Sequence, residues 1–152
     1  LMFFEDRAKA LAEMWRVTRP RGAMGVIVWD ALERTPGYRA MVGLLQHLFG
    51  DDIANGLRAP FVLGDPGEVR ELFEAAGIPD ARIETIIGEA RFPSIADWVR
   101  TDVKGWTLAD AIDDAQYARL QKEAQKELAG FVKRDGSVRF DSPAHIVTAV
   151  KV

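Results

Sequence analysis

The side chains able to do chemistry in this sequence form a short list. It has no cysteine and only two histidines, His47 and His145, so thiolate catalysis, disulfides and cysteine-type zinc sites are excluded. The two imidazoles are far apart in sequence and neither has an adjacent carboxylate pair, so no metal site is expected. His47 falls in a helical pattern and reads as a surface residue, while His145 opens a strand and reads as a structural one. No Gly-x-Ser-x-Gly elbow occurs, which disfavours a hydrolase. Gly64-Asp65-Pro66-Gly67 has helix-cap spacing and does not read as a phosphate loop. Asp30 remains. It directly follows an apolar run that ends in Trp29, where a carboxylate can act as a general base or orient a ligand, although capping the next turn is the commoner role of an aspartate so placed.

The elements that would hold these groups follow from composition and periodicity. The 152 residues, 48% hydrophobic and 28% charged, fit one ordinary globular domain. A net charge of -3 gives no field that would attract a polyphosphate, so nucleic acid is not an expected partner. No run approaches the ~18 apolar residues of a membrane span, and no signal segment is visible. The expectation is a cytoplasmic protein with no membrane contact.

Phe4, Ala8, Leu11 and Trp15 share one helical face, predicting a helix from Phe4 to about Val17. Arg16, Arg19 and Arg21 complement the negative end of its dipole, and Pro20 and Gly22 turn the chain. Ala23–Trp29 is an unbroken apolar run, the pattern of a strand covered on both faces. Pro36-Gly37 precede a helix striped by Met41, Leu44, Leu45 and Leu48 and ended by Gly50, after which Asp51 and Asp52 can cap a short helix. Asp65, Pro66, Glu68 and Gly77 frame another. Ala81–Ala90 reads as a strand, and Pro93-Ser94 opens a helix carrying Trp98. An amphipathic stretch runs from about Leu108 to Lys133, with Tyr117, Leu120, Ala124, Leu128 and Phe131 on one face. Val138–Phe140 and His145–Val150 read as extended. Leu1-Met2-Phe3-Phe4 is an apolar cluster that would be adhesive if left uncovered. With a strand that wants neighbours on both edges, it gives the expectation of a preceding N-terminal half.

Helix, buried strand, helices, strand, helical insertion and final strand together predict an α/β sheet. Phe4-Glu5-Asp6-Arg7, followed by Ala10-Leu11-Ala12-Glu13-Met14-Trp15-Arg16-Val17-Thr18-Arg19-Pro20-Arg21-Gly22, resembles the segment after the fourth strand of class I S-adenosylmethionine-dependent methyltransferases. The similarity is to the ubiquinone and menaquinone biosynthesis-like (type 11) branch, with its "aL-x-E-x-x-R-V-L-k-P-G-G" pattern. Arg21 departs from this pattern, standing where the family has the first glycine, and Thr18 replaces a leucine. If that turn needs a positive φ, arginine costs about 1 kcal/mol more than glycine there.

The resemblance implies an α/β fold that is the C-terminal half of a Rossmann-like methyltransferase sheet. Ala23–Trp29 would be strand five, Arg82–Ala90 strand six and His145–Val150 the antiparallel strand seven. The whole of 1–152 would belong to that half, with helical insertions at about 36–57 and 94–134. It implies methyl transfer to a small-molecule acceptor by a longer protein, with this half incompetent alone. The glycine-rich loop and acidic residue that hold the cofactor are not in this sequence. Leu1, Met2 and Phe3 would lie beside the methyl donor of S-adenosylmethionine. Trp29, Asp30, Tyr38, Trp98 and Trp106 would wall or orient the acceptor, although each of these tryptophans could equally pack a core. The resemblance assigns no catalytic residue. The competing expectation is a non-catalytic α/β module, or a homo-oligomer that covers its exposed sheet edge.

Overall fold

The computed structural model describes residues 1–106 and 108–152. In chain order the elements are α1 (Arg7–Val17), β1 (Ala23–Trp29), α2 (Pro36–Phe49), α3 (Asp51–Arg58), α4 (Pro66–Ala75), β2 (Arg82–Phe92), α5 (Ile95–Lys104), α6 (Asp114–Glu127) and β3 (Val138–Val150). They are partitioned into two units. A sheet unit comprises Leu1–Ala31, Pro60–Gly88 and Pro143–Val152, and a helical unit comprises Leu32–Ala59 and Glu89–Ser142.

The strands form one antiparallel sheet in the order β1-β3-β2. β1 pairs with β3 from Ala23 opposite Val150 to Trp29 opposite Ala144. The last strand therefore lies between the other two, and β1 and β2 run in the same direction. The core of the sheet unit gathers Leu11 of α1, Val69 and Phe73 of α4, and Met24, Val28, Val147 and Ala149 of the sheet. A separate core in the helical unit is built from Met41, Leu45, Trp98, Val99, Leu120, Leu128 and Phe140.

β1 forms where an apolar run is expected, but it is not covered on both faces. Its burial alternates, leaving Ile27 64% exposed. Because opposed residues in an antiparallel pair share a face, exposed Val150 lies on the same open face through Ala23. The unbroken apolar run masks the period-2 signal, because Ala23, Gly25 and Ile27 are no more polar than the residues they alternate with.

Caps set several boundaries differently from the periodicity. α1 starts at Arg7 because the Asp6 carboxylate accepts from the Lys9 N–H, which leaves Phe4 outside the helix and exposed. Gly50, with φ 87°, precedes α3, and Asp51 and Asp52 lie in its first turn near the positive end of the dipole. α6 starts at Asp114, because Asp113 and Gln116 form a reciprocal capping box. The amphipathic stretch therefore contains a 14-residue helix followed by a 3-10 turn at Ala129–Phe131. The two extended segments near the C-terminus are one strand that runs through Pro143, whose carbonyl accepts from the Asp30 N–H.

α4 follows its sequence signals closely. The Asp65 carboxylate accepts from the Gly67 and Glu68 N–H groups, and Pro66 occupies the first turn. The turn into β1 takes the left-handed conformation at Arg21, with φ 62°. It is closed by a bond from the Gly22 N–H to the Arg19 carbonyl.

Candidate functional site

Asp30 leaves the end of β1 almost fully buried, and its Oδ1 accepts from the Ala31 N–H at 2.6 Å. The fully buried ring of His145, on the neighbouring strand, lies beside it, with Nε2 3.4 Å from Asp30 Oδ1 and 2.9 Å from the Gly64 carbonyl oxygen. A carbonyl can only accept, so Nε2 carries the hydrogen. In the neutral ring Nδ1 is then left to accept from the Thr85 hydroxyl of β2, 2.8 Å away. The result is a chain of polar groups from buried Asp30 through His145 to exposed Thr85, on adjacent strands. It can hold the backbone at the carboxyl end of β1 in one geometry.

Gly64 is what lets this cluster close. A Cβ placed there would lie 2.3 Å from the Ala31 backbone and 2.8 Å from the Asp30 carbonyl carbon, so only glycine admits so close an approach. Trp29 is half-buried and opposite Ala144. Asp30 thus sits at the strand end as the sequence suggests, but its carboxylate faces inward to the histidine.

Leu1 and Phe3 line an open groove of about 890 Å³ along α1, with Phe4, Ala10, Met14 and Val17. Three carboxylates edge it. Asp6 is committed to capping α1, and Glu13 pairs with Arg16 at 2.8 Å. Met2 turns away to pack against the sheet-unit core, and its carbonyl accepts from Arg7.

Tyr38 and Trp98 meet in the helical unit, where their rings pack edge to face at 6.4 Å. Phe140 contacts both, at 5.2 Å and 4.8 Å, and Phe92 stacks on Trp98. Trp98 is fully buried and serves the core of its unit. Its indole N–H donates to Asp102 Oδ2 at 2.7 Å. Asp102 is 3% exposed, and burial pushes its carboxyl up to about 7 against the lowering effect of that hydrogen bond. Burial, and then the charge of Asp102, push the Tyr38 phenol upward as well. Trp106 lies exposed just beyond the end of α5, and His47 is exposed on α2.

Sequence reasoning singled out neither Thr85 nor Gly64 as members of a polar cluster, and it passed over Asp102. The last carries a usable signal, being a carboxylate one helical turn beyond Trp98 on an apolar stripe. The first two become neighbours of His145 only through strand pairing. Among the described residues no cluster of His, Asp and Glu could hold a metal ion, and no helix is long and apolar enough to cross a membrane. A scan against models of known protein families returned no match, and no curated protein matches the chain significantly.

Proposed function

We propose that this chain is the acceptor-side half of an S-adenosylmethionine-dependent methyltransferase acting on a small molecule, the longer protein being the enzyme. The reading is carried by the course of the three strands. β1 and β2 run in one direction, are joined through helices, and flank a final strand antiparallel to both. Such an arrangement is in keeping with the strands five, six and seven implied by the turn around Arg19–Gly22. That same turn adopts a positive φ at Arg21, the conformation for which a glycine is suited. The uncovered apolar residues Ile27 and Val150 on one sheet face are also in keeping with a layer that continues beyond these strands.

In this reading, acceptor binding falls at the carboxyl end of β1, since ligands in open α/β sheets sit beyond the carboxyl ends of parallel strands. Trp29 supplies a flat apolar surface there. The Asp30–His145–Gly64 cluster fixes the backbone that carries it. The chain's own residues do not suffice for the cofactor. The groove at Leu1 and Phe3 is apolar, and two of its three carboxylates are already engaged by a helix cap and an ion pair. No glycine-rich loop follows a strand to receive the cofactor's polar tail. No reaction step is therefore assigned to this half alone.

A calorimetric titration of S-adenosylmethionine tests the reading. The 152-residue chain is expected to give no binding heat, and the longer protein that this reading proposes is expected to bind in the micromolar range. Absence of binding by the longer protein would contradict the methyltransferase assignment. Binding by the 152-residue chain alone would contradict its role as a half.

A further inference from the structure

The second edge of the sheet carries an inference independent of the methyl-transfer reading. β2 is an edge strand, and between Arg82 and Gly88 only Ile83 is even half-buried. Ile86 is exposed, and Ile87 is 74% exposed. Among the described residues, no hydrogen bond from outside the sheet reaches the backbone of this stretch. Proteins usually blunt such an edge with prolines, charged side chains or a covering loop. The stretch Arg82–Gly88 contains no proline, and its two charges, Arg82 and Glu84, lie in its first half, leaving Thr85–Gly88 unguarded. Unpaired N–H and C=O groups in a row, flanked by β-branched side chains, fit another strand.

We propose that this edge pairs with the same edge of a second copy of the chain, giving a two-fold dimer with a continuous sheet. A two-fold axis perpendicular to the sheet makes the pairing antiparallel and keeps each face on its own side, so residues of like parity must oppose one another. Among such registers, centring on Glu84 sets two carboxylates face to face. Centring on Thr85 sets Ile87 of each chain against the partner's Ile83, Thr85 against the partner's Thr85, and Glu84 against the partner's Ile86. This register brings no like charges together and covers the most exposed isoleucine of the strand, so the edge is complementary to itself.

The test uses the 152-residue chain. Light scattering across a concentration series is expected to show a dimer, and Ile87→Lys, a change at an exposed site, is expected to weaken it about tenfold or more. Ile27→Lys on β1 is expected to leave it intact. Because the chain has no cysteine, Thr85→Cys gives a single thiol on the two-fold axis, and mild oxidation should link it to its copy. Glu84→Cys, displaced from the axis, should link poorly. A monomer at high concentration would overturn the proposal, as would a dimer that survives Ile87→Lys but not Ile27→Lys. Cross-linking at position 84 as fast as at position 85 would overturn the register.

Discussion

Asp102 is the residue whose protonation bears most directly on stability. A carboxyl held at about 7 instead of its usual 3.8 corresponds to roughly 4 kcal/mol in favour of the protonated form. Because the folded value lies above the unfolded one, this contribution is fully present below about pH 4 and is lost as pH rises through about 7. Asn keeps an oxygen for the Trp98 indole N–H and cannot ionise. Asp102→Asn is therefore expected to raise the melting temperature by several degrees at pH 8 and to change it little at pH 4, as read by circular dichroism. Equal effects at both pH values would show that desolvation of the carboxylate is not what matters. Asp102 was passed over in the sequence although a carboxylate on an apolar helical stripe is a readable signal, and its pairing with an indole depended on side-chain geometry that spacing alone does not give. His145 was legible as a structural histidine. Its partners were not, because Gly64 and Thr85 reach it from distant parts of the sequence.

At the scale of elements, local chemistry announced α4 and β1 well. The Asp65 carboxylate satisfies the N-terminal N–H groups of Gly67 and Glu68, and Pro66 has no N–H to satisfy, independently of tertiary context, so these signals could be read directly. Elements whose ends depend on competing caps were less legible. Asp6 and Asp113 each begin a helix later than the apolar periodicity suggests, because a satisfied cap outweighs one more apolar contact. The C-terminal end of α1 shows a device that no local pattern reveals. The Lys151 ammonium, from just past β3, donates to the carbonyls of Trp15, Arg16 and Thr18 at 2.7, 3.2 and 2.9 Å, and it lies 5.5 Å from the Trp15 ring centroid. A cation on the negative end of a helix with three acceptors to satisfy should stabilise the sheet unit. Lys151→Met, which keeps the aliphatic stem, is expected to cost about 1–2 kcal/mol in urea unfolding. A loss within a few tenths of a kcal/mol of zero would place this contact among solvent-screened surface pairs.

At the scale of the whole molecule, the mixed α/β character was legible from the alternation of helical and strand patterns, and the antiparallel setting of the last strand was an expectation of the resemblance. The exposed face of β1 was not legible, because alternation cannot be seen when every residue of a strand is apolar or glycine. The division into a sheet unit and a helical unit, each with its own core, arises because the segments rich in Leu, Trp and Phe around α2, α5 and α6 bury one another. The candidate acceptor residues fall on both sides of that division. Trp29 and Asp30 belong to the sheet unit, and Tyr38, Trp98 and Trp106 belong to the helical one. The methyltransferase reading therefore stands most directly on residues of the sheet unit. Amide chemical shifts of the isotopically labelled protein in the longer form that this reading proposes, recorded as S-adenosylhomocysteine is added, address it site by site. The account predicts perturbations at Leu1–Phe3 and at Trp29 and Asp30, with the amides around Trp98 unmoved. Shifts confined to the helical unit, or no shifts at all, would contradict it.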